Sequence, residues 1–364
     1  MKVIQLLPEL NEGGVERGVV ETNREFQKLG HKSHVVSAGG HMAETIKIDG
    51  GCHYTLDICS KNIISAPSRI LKLRKLLNSV NPEIIHARSR IPAWLSHFAN
   101  RKSRRPFVTT VHGLNSVNGY SKIMTSGDRV ICVSEVIRDY IMQHYHISPK
   151  VIRVVQRGVD MDQFSPEKVD REKVSSLRSK LGLDGKFIVT SVGRITWLKD
   201  YETFIQSMAR VCKNTPEAVG LIVGGYRKDK AEYFNSLKKI VSDLKMENHI
   251  LFAGNQEDML SVYALSDIIV NASLKMGNMG RTVVEALALG KPVMATTFKG
   301  LHNLIENEKN GRIIATRDIN DLTDSLLIAM KTPYREDAIR SSIPAEYTLH
   351  HMVESILSVY REIV

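Results

Sequence analysis

Arg194 and Lys199 stand five residues apart in the run Ser191-Val-Gly-Arg-Ile-Thr-Trp-Leu-Lys-Asp200, just beyond an apolar stretch that reads as a strand. Two fixed cations at the carboxyl end of a strand suit a diphosphate, because both side chains donate charge-assisted hydrogen bonds to its oxygens. A second run, Ser273-Leu-Lys-Met-Gly-Asn-Met-Gly-Arg-Thr-Val-Val-Glu-Ala-Leu-Ala-Leu-Gly290, sends a glycine-containing loop into a helix and sets Glu285 about one turn inside it. Amides at such a helix end face an anion, and a carboxylate there accepts ribose hydroxyls. Gly277, Asn278, Met279, Gly280, Arg281 and Thr282 complete this candidate binding loop.

Two further clusters lie in the first half. Gly13 and Gly14, in Pro8-Glu-Leu-Asn-Glu-Gly-Gly-Val-Glu-Arg17, sit between a strand and its helix, where backbone can approach a phosphate. The spacing is not GxGxxG, which argues against a dinucleotide dehydrogenase. A glycine pair also serves a bare turn, because glycine tolerates positive φ without any ligand. Arg88 and Arg90 follow a strand at 83–87 and can fork onto a carboxylate or phosphate; surface solvation or a structural salt bridge is the competing reading.

Other features yield nothing. Asp160-Met-Asp162 has the form of a metal-binding pair but falls in a linker, and the 13 histidines show no HExxH spacing, so no metal is assigned. His144 and His146 follow an amphipathic helix and read as surface residues. Cys52, Cys59, Cys132 and Cys212 lack paired CxxC spacing and read as buried reduced thiols.

These clusters need a scaffold that brings strand ends together. Short β-rich runs at 3–7, 34–37, 83–87, 107–111 and 129–133 alternate with amphipathic stretches such as 14–29, which predicts βαβ units and a parallel sheet. The rhythm pauses at 151–155 and the polar segment 156–166. It resumes at 187–192, 220–223, 250–252, 268–271 and 292–296, a second doubly wound series. The expected domains are therefore 1–165 and 166–344, with a helix over 345–364 that crosses back to the first. A length of 364 residues is consistent with two cores.

No apolar run reaches the roughly 18 residues that span a bilayer, and Met1 leads straight into a strand pattern, so a cytoplasmic location is expected. The net charge of +11 is uneven: residues 1–160 carry 23 Lys and Arg against 13 Asp and Glu. Such a half attracts nucleic acid, anionic lipid or an acidic saccharide. No helix-turn-helix, zinc-finger or RNP-like motif is present to support nucleic acid. In the run 69–77 the apolar Ile70, Leu73, Leu76 and Leu77 face one side, and cations including Lys72, Arg74 and Lys75 are expected to point outward toward an anionic membrane.

The order of Gly13-Gly14, 192–199, Ile222-Val-Gly-Gly225, 267–273, Gly280-Arg-Thr-Val-Val-Glu-Ala286 and Gly290-Lys-Pro-Val293 resembles the retaining family 4 glycosyltransferases of the GT-B fold. The likeness spans nearly the whole chain. His86-Ala-Arg-Ser-Arg90 and Thr109-Thr-Val-His-Gly113 are most similar to members that build bacterial lipopolysaccharide core.

The resemblance implies two Rossmann-like domains facing across a cleft, a nucleotide-sugar donor and no metal or other cofactor. The Gly14 amide would lie near the donor diphosphate, with Arg194 and Lys199 as its clamp, Glu285 on the ribose and His112 near the transferred sugar. Arg88 and Arg90 would meet an anionic saccharide or lipid-linked acceptor. One departure stands out. Where the family commonly has a second glutamate on sugar hydroxyls, this chain has Gly277, which removes a charge-assisted hydrogen bond of about 1.5–3 kcal/mol. A sugar-nucleotide epimerase of similar fold is the competing enzyme class, and it would need no acceptor.

Overall fold

The computed structural model describes residues 1–11, 13–226, 230–274, 280–297 and 301–364, the side chain of His302 excepted. The chain forms two compact units, Met1–Gly158 with Glu346–Val364, and Val159–Ala345. The first boundary thus precedes the expected one at residue 165, and residues 159–165 belong to the second unit.

The first unit is built on strands β1 (Lys2–Leu6), β2 (Lys32–Ser37), β3 (Cys52–Thr55), β4 (Ile84–Ala87), β5 (Phe107–Val111), β6 (Arg129–Cys132) and β7 (Ile152–Val154). They lie in the order β3-β2-β1-β4-β5-β6-β7, and every pairing is parallel. β4 and β5 are buried at every position, which is why they read in sequence as apolar or β-branched runs, broken only by His86, rather than alternating ones. The order reverses between β1 and β4, and the crevice beyond the carboxyl ends of these strands is where such sheets bind ligands.

Helices cover both faces. The helix Gly14–Lys28 buries Val19, Val20 and Phe26, while Asn23 Nδ2 donates to the Ile46 carbonyl at 3.2 Å. The helix Leu349–Arg361 packs Leu349, Met352, Val353, Ile356, Leu357, Val359 and Tyr360 against Phe26, Ile84, Val108, Ile131 and Val155. Thr348 caps its start, and Glu362 accepts from Arg129 and Arg153 at its end. Gly158 passes so close to Thr348 that a Cβ would lie 2.1 Å from the Thr348 carbonyl oxygen, so only glycine fits there.

The second unit contains β8 (Phe187–Val192), β9 (Ala218–Val223), β10 (Ile250–Gly254), β11 (Ile268–Asn271), β12 (Val293–Thr296) and β13 (Gly311–Ile314). The order β10-β9-β8-β11-β12-β13 is again parallel, with its reversal between β8 and β11. Val189, Tyr201, Phe204, Met208, Ile222, Val270, Met294 and Leu326 fill its main core. Both units are therefore Rossmann-like and doubly wound.

Three expectations need correction. Cys132 and Cys212 are buried, but Cys52 and Cys59 are exposed; Cys52 lies on β3 at the sheet edge and Cys59 in the loop after it. In the helix Ala66–Val80, Lys72 and Lys75 are exposed, whereas Arg74 is half-buried and donates to the carbonyls of Ala99 and Phe98 at 3.3 and 3.2 Å. Arg69 is buried, because it satisfies two loop carbonyls.

Candidate active site

In the first unit, the ends of β1, β4 and β5 enclose an open pocket of about 190 Å³ lined by Glu16, Arg88, Arg90, Thr110, His112 and their neighbours. His112 follows β5. Its Nδ1 stands 3.0 Å from Arg157 Nη2, and Arg157 Nη1 donates to the Gly14 carbonyl at 3.2 Å. A guanidinium only donates, so Nδ1 must be the bare nitrogen, which assigns the proton of the neutral ring to Nε2. That Nε2 is buried and has no hydrogen-bond partner among the described residues. Burial first, then the charges of Arg157 and Arg88, hold the imidazole well below its ordinary pKa. His112 is thus a neutral ring with an unused donor, suited to a ligand oxygen.

Behind it, His86 is fully buried between Tyr360 Oη on Nδ1 at 2.5 Å and Thr110 Oγ1 on Nε2 at 2.6 Å. Thr110 lines the pocket, so the helix Leu349–Arg361 braces the pocket wall through this pair. Arg88, 8% exposed, directs Nε and Nη2 onto Gln5 Oε1 at 3.2 and 2.6 Å. Arg90 donates to Ser121 Oγ at 3.3 Å and lies 5.1 Å from the Tyr120 ring centroid. Both arginines line the pocket, each already held by a polar neighbour.

Gly13 precedes the helix Gly14–Lys28 with φ of 142°, and a Cβ there would come within 2.3 Å of Glu16 Oε2. Glu16 thereby folds its carboxylate back over the helix start, and burial raises its pKa. Sequence reasoning passed over Glu16 and Arg157. The only signal for Glu16 was an acid in the first helical turn after the glycine pair; Arg157 stood out only as part of the linker Arg157-Gly-Val-Asp160 in the family resemblance, without a site role, since it meets His112 only in the fold.

In the second unit, Arg194 lies just past β8 and is exposed, and Lys199 closes a single turn at Trp197–Lys199. Burial, then the neighbouring Arg194 charge, lowers the Lys199 ammonium to about 8. Gly193 makes room for it: at φ of 154°, a Cβ would stand 2.6 Å from Lys199 Cε. Its carbonyl accepts from Tyr201 Oη at 2.6 Å, and Gly224 packs directly on it.

Glu285 is 4% exposed on the helix Arg281–Ala288, with Oε2 accepting from Tyr263 Oη at 2.8 Å and Oε1 from Arg281 Nε at 3.0 Å. Gly280 caps that helix, and Thr282 Oγ1 accepts from Asn271 Nδ2 at 3.1 Å. Tyr263 and Asn271 are therefore supports that sequence reading missed. Gly277, Asn278 and Met279 lie outside the described residues. Asp160 Oδ1 accepts the amides of Asp162 and Gln163, which gives that pair a turn-forming role. Among the described residues no helix is long and apolar enough to cross a membrane.

Each of the two doubly wound units carries its candidate ligand groups at the carboxyl edge beside the strand-order reversal. The family model described as Glycosyltransferase Family 4 matches residues 12–163, and that described as Glycosyl transferases group 1 matches residues 174–343. The chain belongs to the family 4 glycosyltransferases. It is 25% identical over 348 residues to the UDP-Gal:alpha-D-GlcNAc-diphosphoundecaprenol alpha-1,3-galactosyltransferase of Escherichia coli, covering 89% of this chain and 86% of that one. Its structure matches a glycosyltransferase from Rickettsia africae ESF-5 with TM-score 0.87 and 27% identity, over 100% of this chain and 98% of that one. A lipopolysaccharide outer core galactosyltransferase, WaaB, shares the fold at TM-score 0.72 and 17% identity over the whole of both chains.

Proposed function

We propose that the enzyme moves a sugar, with retention at the anomeric carbon, from a nucleotide-sugar donor to an anionic or lipid-linked saccharide of a bacterial cell envelope, lipopolysaccharide core being the first candidate. The observation that carries this reading is the Arg194–Lys199 pair at the β8 end, where two mutually repelling cations await an anion. A departing nucleoside diphosphate gains negative charge as the glycosidic bond breaks, and fixed cations lower that barrier without a metal. Amides at the start of the helix Arg281–Ala288 add to the same field, and Glu285 takes ribose hydroxyls.

Acceptor binding falls to the pocket of Arg88, Arg90 and His112, where the Nε2 proton of His112 is offered to a sugar oxygen. The E. coli relative, whose name specifies UDP-Gal and a diphosphoundecaprenol-linked acceptor, supports a UDP-sugar and a lipid-linked saccharide as first substrates to try. The basic first half supports peripheral attachment to the cytoplasmic face of an anionic membrane.

The deciding experiment incubates the enzyme with each of UDP-, GDP-, ADP- and CMP-sugars, with and without a diphospholipid-linked saccharide. Proton NMR then reads the anomeric linkage of the product. Acceptor-dependent release of nucleoside diphosphate with retained configuration is expected. An isomerised sugar nucleotide formed without acceptor would instead identify an epimerase.

A further inference from the structure

Ile63 and Ile64 are 84% and 92% exposed, the most exposed large apolar side chains among the described residues. They sit on the loop between β3 and the helix Ala66–Val80, and that loop is firmly built. The buried Arg69 donates Nη1 to the Ser60 carbonyl at 2.8 Å and Nη2 to the Asn62 carbonyl at 2.5 Å. Asn62 Oδ1 accepts the Ile64 amide at 2.9 Å, Ser60 Oγ the Asn62 amide at 3.1 Å, and Asp57 Oδ1 the Ser60 amide at 3.0 Å. A buried guanidinium and three side-chain caps thus hold two branched apolar side chains out in water, which serves no purpose in an isolated chain.

Charge names the partner. Between Asp57 and Asp128 the sequence has one acidic residue, Glu83, against twelve Lys and Arg, a net charge equal to the +11 of the whole chain. Lys61 adjoins the tip, and Lys72 and Lys75 are exposed on the following helix, with Leu71 54% exposed among them. In a parallel sheet every strand-to-helix loop leaves at the carboxyl edge, so the tip shares its edge with the pocket of Arg88 and His112. Leu114 and Val117, 46% and 51% exposed, belong to the loop after β5 on that same edge.

We propose that Ile63 and Ile64 insert into the interface of an anionic bilayer, with Lys61, Lys72 and Lys75 against the headgroups. The β3 corner of the carboxyl edge then lies against lipid, and a lipid-linked acceptor enters the pocket from that side. This rests on the lipid-linked acceptor proposed above. A small apolar tip with Lys61, Lys72 and Lys75 around it, and with the Asp57 carboxylate tied to the Ser60 amide at the base of the loop, fits a lipid interface, in which apolar insertion and headgroup attraction act together.

The test uses the full chain and mixed phosphatidylglycerol–phosphatidylcholine vesicles. In Ile64→Trp, vesicles are expected to shift tryptophan emission to the blue. Ile63→Ser/Ile64→Ser is expected to lose vesicle binding roughly tenfold or more, even at salt that screens the cations, while transfer to a lipid-free acceptor is unchanged. Lys72→Gln/Lys75→Gln is expected to weaken binding at low salt only. An unmoved emission on vesicles that bind the wild-type chain would place the attachment elsewhere and overturn the tip, leaving the lipid-linked acceptor intact. Failure of the wild-type chain to bind vesicles overturns the tip as well, and the lipid-linked acceptor is then judged by the transfer assay alone. Self-association of the wild-type chain that the serine pair abolishes would make the tip a contact between copies and likewise overturn insertion in lipid.

Discussion

Arg157 holds His112: its Nη2 stands 3.0 Å from Nδ1, which leaves the one N–H of the neutral ring on Nε2, a buried atom without a hydrogen-bond partner among the described residues. A neutral imidazole so arranged has a donor and not an acceptor at Nε2, so in the proposed transfer its role would be to donate rather than to take a proton. Retention by attack on the same face as the leaving group asks for such a donor more than for a strong base.

Replacing Arg157 with Met removes the group that selects the tautomer and the nearest charge that disfavours the imidazolium. Transfer is expected to fall about 10- to 100-fold, in line with the loss of a hydrogen bond to a charged group. The NMR titration of His112 should move to higher pH. Wild-type turnover with an unmoved His112 titration would disconnect the two residues.

Lys199 gives the donor side a pH dependence of defined sign. Its ammonium, lowered to about 8, is charged below that value and neutral above it, so kcat/KM for the donor should decline as pH rises through about 8. Lys199→Arg should flatten this limb. Arg194→Ala removes the neighbouring charge and should push the limb to higher pH while weakening transfer strongly. A limb unchanged in Lys199→Arg would assign it to another group.

Chelation should leave activity in place if, as proposed, Arg194 and Lys199 take the role of a divalent ion beside the diphosphate. Complete loss in EDTA, restored by magnesium or manganese, would overturn the metal-free reading.

Tyr360→Phe deletes the bond to His86 Nδ1 without removing the ring from the core. It should cost about 1 kcal/mol and lower the thermal midpoint by a few degrees. Because Thr110 lines the pocket on the far side of His86, the acceptor KM should rise while the donor KM holds. An unaltered acceptor KM would leave the pair a packing role only.

The sequence declared the strands best where both faces are buried. β4 and β5 contain little besides apolar and β-branched residues, so neither needs a periodic pattern to be found. β3 and β13 escaped notice because edge strands are short and mixed: Cys52–Thr55 has exposed ends, and Gly311–Ile314 is half covered. Among the candidate ligand groups, Arg194 and Lys199 were visible because a strand and its following turn place them locally. Arg157 and His112 were not visible as a pair, since 45 residues separate them and only the sheet order brings them together. Burial was the hardest property to read. Arg69 and Arg74 look in sequence like any surface cation, and their partners are backbone carbonyls, which no residue type announces.

The first unit takes its last helix, Leu349–Arg361, from beyond the whole of the second. During synthesis the β1–β7 sheet emerges first, yet the apolar surface around Phe26, Ile84 and Val108 stays uncovered until residues 349–361 leave the ribosome. The second unit, contiguous in sequence, is free to fold in the meantime. The half of the chain made first is therefore finished last, and for that interval its open face depends on chaperones or on speed to escape aggregation.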